Sequence, residues 1–215
     1  MILLLLLSVL TTTYTNKTYS TVCAVEVNAP AEIADTIIAH FIYDFQTNPD
    51  VLFDWAFYGV GTQEDGEKNA FLLEYKKTQY IPDNNYGSVL VDVVIPGFTR
   101  IKNIKIEGKV IDEHRPIKFN NTLMVSSLTM KNIPDWSRHI DINVEYSGRL
   151  LEKGNGNLYI IPVDETHSVF LMDINLKYGW FFNLFITMKV YENSVEWRVK
   201  KYMNNLKFVA ENWYE

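Results

Sequence analysis

The side chains best suited to acid–base chemistry are one carboxylate and two tyrosines that fall among apolar residues. Glu192 lies close in helical angle to Phe185 and Met188 on an apolar stripe. Burial there would raise its pKa and make it a general base or a polar contact for a ligand. The alternative, that Glu192 lies at the edge of the stripe and pairs with Lys189, is favoured because buried glutamates are rare.

The two tyrosines fall on apolar faces of predicted strands. Tyr146 follows Ile142 and Val144 at alternate positions, and Tyr178 follows Ile174 in the same way. Either hydroxyl could point into a cavity, although core tyrosines with backbone partners are the favoured interpretation. The predicted ligand-binding set consists of Tyr146, Tyr178, Phe181, Phe185, Met188 and Glu192.

Other catalytic patterns have no support in the sequence. The four histidines fit no helical zinc motif, and the single cysteine, Cys23, can build neither a thiolate metal site nor an internal disulfide. GxSxG, GxGxxG and Walker-type sequences are absent as well. We therefore expect no metal and no nucleotide cofactor, and we assign no catalytic residue. Cys23 alternates with Val25 and Val27, which predicts a small core residue.

Composition indicates one acidic globular unit. The chain has 215 residues, 47% of them hydrophobic, and a formal net charge of -6. This length supports one sizeable core. The net charge argues against nucleic acid or an anionic membrane surface as the main partner, because both favour clustered Lys and Arg.

The N-terminal residues resemble a secretory signal. MILLLLLSVL is an apolar run followed by small polar residues, although no Lys or Arg precedes it. The run is too short to span a bilayer as a helix. We predict that residues 1–19 form the signal and a flexible start, that residues 20–215 form a single domain, and that the protein is exported to the periplasm or secreted.

The order of predicted elements is a strand, two short helices, a set of strands and a long helix. Residues 20–28 alternate as a strand, and helical periods begin at 31 and at 49. Period-two runs then predict strands at 71–81, 88–95, 101–111, 117–127, 138–151, 156–163 and 168–178. KGNGN at 153–157 predicts a hairpin, and glycines at 108 and 148 predict bends of a curved antiparallel sheet.

A helical apolar stripe runs from Gly179 to about Asn212. Charged residues such as Lys189, Glu196 and Arg198 occupy its other positions. The stripe therefore predicts one long amphipathic helix and excludes a membrane span, which would need about 20 nearly uncharged residues.

These segments resemble the START-like superfamily, also called SRPBCC, over residues 22–212. VEVNAPAEIADTIIAHF followed by TNPDVLFDW is similar to that family's opening strand, Ala-Pro helix start and Asp-Pro turn leading to a Trp, here Trp55. VEWRVKKYMNNLKFVAEN is similar to its closing helix, with Leu206 and Lys207 near the end. The segment between Trp55 and Gly87 is longer than a minimal member needs.

The resemblance implies an α+β helix-grip fold, in which a curved antiparallel sheet wraps around a long C-terminal helix with a hydrophobic cavity between them. Members include lipid-transfer domains, pollen-allergen-like proteins and polyketide cyclases. The leading hypothesis is binding of a hydrophobic small molecule, a lipid or an aromatic compound. One alternative is a cyclase- or hydratase-like enzyme that uses Glu192 or a tyrosine, and another is a protein-interaction module with a filled core. The oligomeric state is not predicted.

Overall fold

A computed structural model describes residues 17–38, 72–95, 97–114, 118–125, 128–132 and 138–212 of the chain. Nine strands lie within these ranges. They are β1 (Thr18–Val27), β2 (Leu72–Ile81), β3 (Tyr86–Ile95), β4 (Thr99–His114), β5 (Lys118–Val125), β6 (Leu128–Asn132), β7 (Arg138–Tyr146), β8 (Leu151–Pro162) and β9 (Ser168–Tyr178). Seven of them form one antiparallel sheet in the order β1-β9-β8-β7-β4-β3-β2. The predicted strand at 117–127 is found as β5, but it pairs with β6 in a separate two-stranded sheet.

Helices cover one face of the large sheet, which we call the concave face. Helix α1 is described over residues 31–38, and α2 is Trp180–Asn183. The C-terminal helix follows as Met188–Tyr191, a π-helical segment Glu192–Glu196, and Trp197–Glu211. It packs on β1 and β9, which confirms the predicted α+β helix-grip fold. The second predicted short helix, at 49–58, lies outside the described residues.

Two apolar clusters hold the helices on the concave face. The first joins Ile37 of α1 and Phe170 of β9 to Met203 of the C-terminal helix. The second joins Val91 of β3 to Phe182 of α2. Full burial of each such side chain contributes roughly 1.5–3 kcal/mol. The first cluster therefore holds α1 and the C-terminal helix on the sheet, and the second cluster holds α2.

A buried ion pair fixes α1 to the sheet. Arg138 on β7 donates from Nε and Nη2 to the carboxylate of Asp112 on β4, at 2.9 and 2.6 Å. Its Nη1 donates to the backbone oxygen of Asp35 on α1 at 3.0 Å. Burial disfavours the charged guanidinium, but the hydrogen bonds and charge of Asp112 outweigh that cost and raise the pKa of Arg138.

The predicted hairpin at KGNGN is wrong, because residues 153–157 lie inside β8. The chain turns earlier, at Ser147–Leu150, where Leu150 N–H donates to the Ser147 carbonyl oxygen at 2.8 Å. The central residues Gly148 and Arg149 both have positive φ, 53° and 72°, as a type I′ turn requires. Gly148 is thus a turn residue and not a bend within a strand. A Cβ on Gly154 would meet Leu151 Cδ1 at 3.0 Å, so this glycine makes room for packing.

The predicted continuous helix from Gly179 is interrupted between Asn183 and Met188. Thr187 is extended, with φ −90° and ψ 167°, and its hydroxyl accepts a hydrogen bond from Val190 N–H at 3.2 Å. This arrangement is an N-cap, and it restarts the helix. The interruption allows Phe182 and Ile186 to enter the second cluster.

Candidate functional site

One row of side chains crosses the concave face between the two clusters. Thr21, Ile174, Gly156, Ile142 and Val110 are successive Cα partners on β1, β9, β8, β7 and β4. Directly paired residues point to the same face of an antiparallel sheet. At 4.7–4.9 Å per strand, this central row extends over about 19 Å.

Side-chain exposure increases along the central row. Thr21 is 4% exposed beneath the C-terminal helix, whereas Ile142 is 46% exposed. A Cβ on Gly156 would meet only Ile174 Cγ1 at 3.6 Å and the Asp173 carbonyl oxygen at 3.8 Å, both ordinary contacts. An apolar surface around Gly156 and Ile142 is therefore left partly open on this face, and we call it the central groove.

The region beside the groove, under α1, is filled. Ala34, Leu158, Phe170 and Leu206 are among the residues that surround a void of about 10 Å³ there. That volume is about the size of one water probe. Within the described residues, the first cluster therefore has no room for a ligand.

The closed end of the row contains a pair of hydroxyls. The Oγ1 of Thr21 and the hydroxyl of Tyr191 are hydrogen-bonded at 2.6 Å. Tyr19 stacks on Tyr191 with ring centroids 4.8 Å apart, and its hydroxyl donates to the Ile186 carbonyl oxygen at 2.8 Å. Burial raises the pKa of Tyr191, and the Thr21 hydrogen bond opposes this only in part. The pair therefore stays neutral and ties β1 to the helix.

Three residues of the predicted ligand-binding set meet in the second cluster. Tyr178 is buried and makes an edge contact with Tyr19 at 5.8 Å. Phe181 and Phe185 are half-buried, with ring centroids 5.4 Å apart, and pack against the cluster. These side chains therefore pack with the second cluster.

The other three members point elsewhere. Met188 is 59% exposed, and Glu192 is exposed as well. The prediction that Met188 faces the sheet is therefore wrong. The exposure of Glu192 agrees with the interpretation that it lies at the edge of the apolar stripe. Met188 leaves the stripe because the break before it shifts the helical phase that a uniform 100° per residue assumes, and the π-helical segment that begins at Glu192 shifts the phase again.

The prediction that Tyr146 shares the dry face with Ile142 is also wrong. Tyr146 is 55% exposed and pairs with Glu107. The Glu107 carboxylate accepts from Lys105 at 2.6 Å on the outer face. The register of β4 and β7 shifts between Glu107 and Gly108. A β-bulge at this point breaks the alternation and turns Tyr146 outward.

The sequence predicted the residues of the central groove only in part. Alternation correctly placed Ile142 on the dry face, but its exposure depends on which elements cover that face. Gly156 belongs both to the predicted hairpin at 153–157 and to the start of the predicted strand at 156–163, so its place in the middle of the row was not predicted. Within the described ranges, no three His, Cys, Asp or Glu side chains cluster as a metal site would require. Nor does any described helix have the length and apolar character needed to cross a membrane.

The comparison with solved structures identifies the fold. The Zhui aromatase/cyclase from Streptomyces sp. R1128 superposes with a TM-score of 0.50 at 12% identity, covering 93% of this chain and 97% of that chain. A conserved protein from Geobacillus kaustophilus has a TM-score of 0.47 at 9% identity, covering 89% and 95%. Truncated norcoclaurine synthase from Thalictrum flavum has a TM-score of 0.46 at 12% identity, covering 91% and 95%. No family model and no curated protein matches the sequence. The likeness to the aromatase/cyclase confirms a START-like fold.

Proposed function

We propose that the protein binds a hydrophobic small molecule, a lipid or an aromatic compound, in the central groove. The observation that carries this proposal is the exposure of Ile142, 46% on the face of the sheet that the helices otherwise cover. A central strand normally buries such a side chain, so an apolar surface left open there favours a ligand that completes the burial.

The chemistry of the groove favours an uncharged ligand. Ile142, Ile174, Gly156 and Val110 present only hydrocarbon or backbone. Transfer of apolar ligand surface into such a site contributes roughly 25 cal/mol per Å² before the costs of binding. An enzyme that uses Glu192 as a buried base is not supported, because Glu192 faces solvent.

Filling the groove is expected to weaken binding without unfolding the protein. Leucine at position 156 would place its isobutyl group where the ligand lies, so Gly156→Leu should raise the Kd at least about 10-fold. Gly156→Ala adds one methyl at ordinary contact distances and should change the Kd by less than about 3-fold. Native mass spectrometry first identifies any copurifying molecule. Isothermal titration with palmitic acid and 2-naphthol then measures the Kd of both variants.

Two results would count against this site. Equal affinities of Gly156→Leu and the natural protein would place the ligand outside the groove. If nothing copurifies and neither probe raises the melting temperature, the interaction module with a filled core becomes the better hypothesis.

Export of the protein is the second part of the proposal. The apolar run of residues 1–10 supports it, and the fold limits where a signal could end. Tyr19 is 2% exposed and belongs to β1, so removal of residues 1–19 would take a tyrosine out of the core. N-terminal sequencing of exported protein is expected to give a first residue no later than Tyr19. A mature chain that starts at Ser20 would contradict this limit.

A further inference from the structure

Exposed apolar side chains gather at one end of the sheet. The β3–β4 connection, the β7–β8 turn and the segment from Gly179 to Met188 all lie at this end. Phe98, Trp180, Leu184 and Met188 are 62%, 60%, 57% and 59% exposed. We call this surface the aromatic end. Soluble proteins rarely expose several large apolar side chains together unless they form an interaction site.

The three segments form one surface. Phe98 and Phe185 are in contact, with ring centroids 4.9 Å apart. Ile101, Arg149 and Trp180 line a shared open cleft of about 620 Å³. The apolar side chains therefore belong to a continuous patch built from separate parts of the chain.

The aromatic end is also positively charged. Segments 97–102, 148–153 and 177–189 contain six Lys and Arg and one acidic residue, Glu152, for a net charge of +5 in a chain of net charge -6. Glu152 pairs with Lys177 at 2.7 Å, and Arg100 lies 3.8 Å from Asp92. The exposed cations at this end include Lys102, Arg149, Lys153 and Lys189. The fold thus gathers charges that are scattered along the sequence.

We propose that the aromatic end docks on a membrane surface that contains anionic phospholipid. Trp and Phe side chains prefer the interface between headgroups and acyl chains. Each Lys or Arg near an anionic leaflet adds about 1 kcal/mol. The exposed cations of the aromatic end would therefore orient the protein on the lipid surface.

Charge favours lipid over a second copy of the chain. Two aromatic ends would each present the exposed cations Lys102, Arg149, Lys153 and Lys189, and like charges brought together oppose pairing. An anionic membrane surface complements the same cations.

Vesicle flotation at limiting lipid tests the apolar contribution. The full chain is mixed with phosphatidylcholine vesicles that contain 30% phosphatidylglycerol. The double variant Phe98→Ser/Trp180→Ser is expected to lower the floated fraction at least about 5-fold. The matched control is Phe208→Ser/Val22→Ser, since these two residues are 67% and 57% exposed away from the aromatic end, and it should float like the natural protein. All variants carry the same N-terminal run, so its contribution is equal.

A second pair of variants tests the charge. Lys102→Glu/Arg149→Glu should weaken flotation with the anionic vesicles by at least about 5-fold, and 0.5 M NaCl should have a similar effect. Lys109→Glu/Lys200→Glu changes the net charge equally at two other exposed lysines and should change it less than 2-fold. Equal flotation of all variants would overturn the proposal. So would absence of flotation together with a dimer that Phe98→Ser/Trp180→Ser dissociates, because the surface would then bind a second copy.

Discussion

Alanine at position 108 is expected to lower the melting temperature by about 6–12 °C. A Cβ on Gly108 would lie 2.2 Å from the carbonyl oxygen of Asn143 and 3.1 Å from the Cα of Val144. Both are backbone atoms, so β4 and β7 would have to separate at the bulge. We expect a cost of about 3 kcal/mol, the upper part of the usual range for overpacking. In a chain of this size each kcal/mol corresponds to about 2–4 °C, and calorimetry measures the shift.

Gly156→Ala is the matched control for this substitution. It adds the same methyl group on the same face of the sheet, where the nearest atom is 3.6 Å away. Its melting temperature should remain within about 2 °C of that of the natural protein. Equal melting of both variants would show that β4 and β7 do not approach as closely as described.

Replacement of Arg138 by methionine is expected to reduce the free energy of unfolding by about 3 kcal/mol. The Arg138 side chain is 8% exposed, and its replacement removes the guanidinium that contacts the carboxylates of Asp112 and Asp35. Breaking a buried pair on one side typically costs 3–5 kcal/mol. We expect the low end, because the two carboxylates are 21% and 27% exposed and retain contact with water. Urea titration measures the loss.

The double variant Arg138→Met/Asp112→Leu separates the charge from the packing. Removal of the Asp112 carboxylate with its partner should recover at least about 1 kcal/mol relative to Arg138→Met alone, since one uncompensated charge disappears. Arg138→Lys should fall between the natural protein and Arg138→Met, because lysine keeps the charge but loses the two-pronged contact. A double variant less stable than Arg138→Met would show that packing dominates.

The sheet could be predicted from the sequence because alternation is a local signal. Strands β3, β4, β7 and β9 lie where period-two runs predicted them, and the turn at Pro82–Asn85 follows its Pro and Asn residues. The β7–β8 turn was misplaced because glycine has two uses. In the sequence, Gly154 and Gly156 resemble turn residues. In the structure, they lie within β8 and leave room for neighbouring side chains on the concave face. Only the neighbours across the sheet distinguish these uses.

The candidate site could be predicted less well, because it depends on the rotational phase of the C-terminal helix and on which elements cover the sheet. One interruption at Thr187 and one π-helical segment rotate the helix enough to expose Met188 and Glu192. One bulge turns Tyr146 outward. None of these three irregularities has a periodic signal in the sequence. The aromatic end could not be predicted from the sequence either. Its cations come from three separate segments, and the net charge of the whole chain is negative.

The closure of the sheet by β1 determines when the molecule can finish folding. β1 pairs with β9, and Tyr19 and Thr21 bond to residues 167 and 170 positions later. During synthesis at 5–20 residues per second, the first strand waits about 10–30 s for these partners. Such long-range pairing also slows folding after release. β1 therefore cannot take its place in the sheet until β9 and the C-terminal helix have been synthesised.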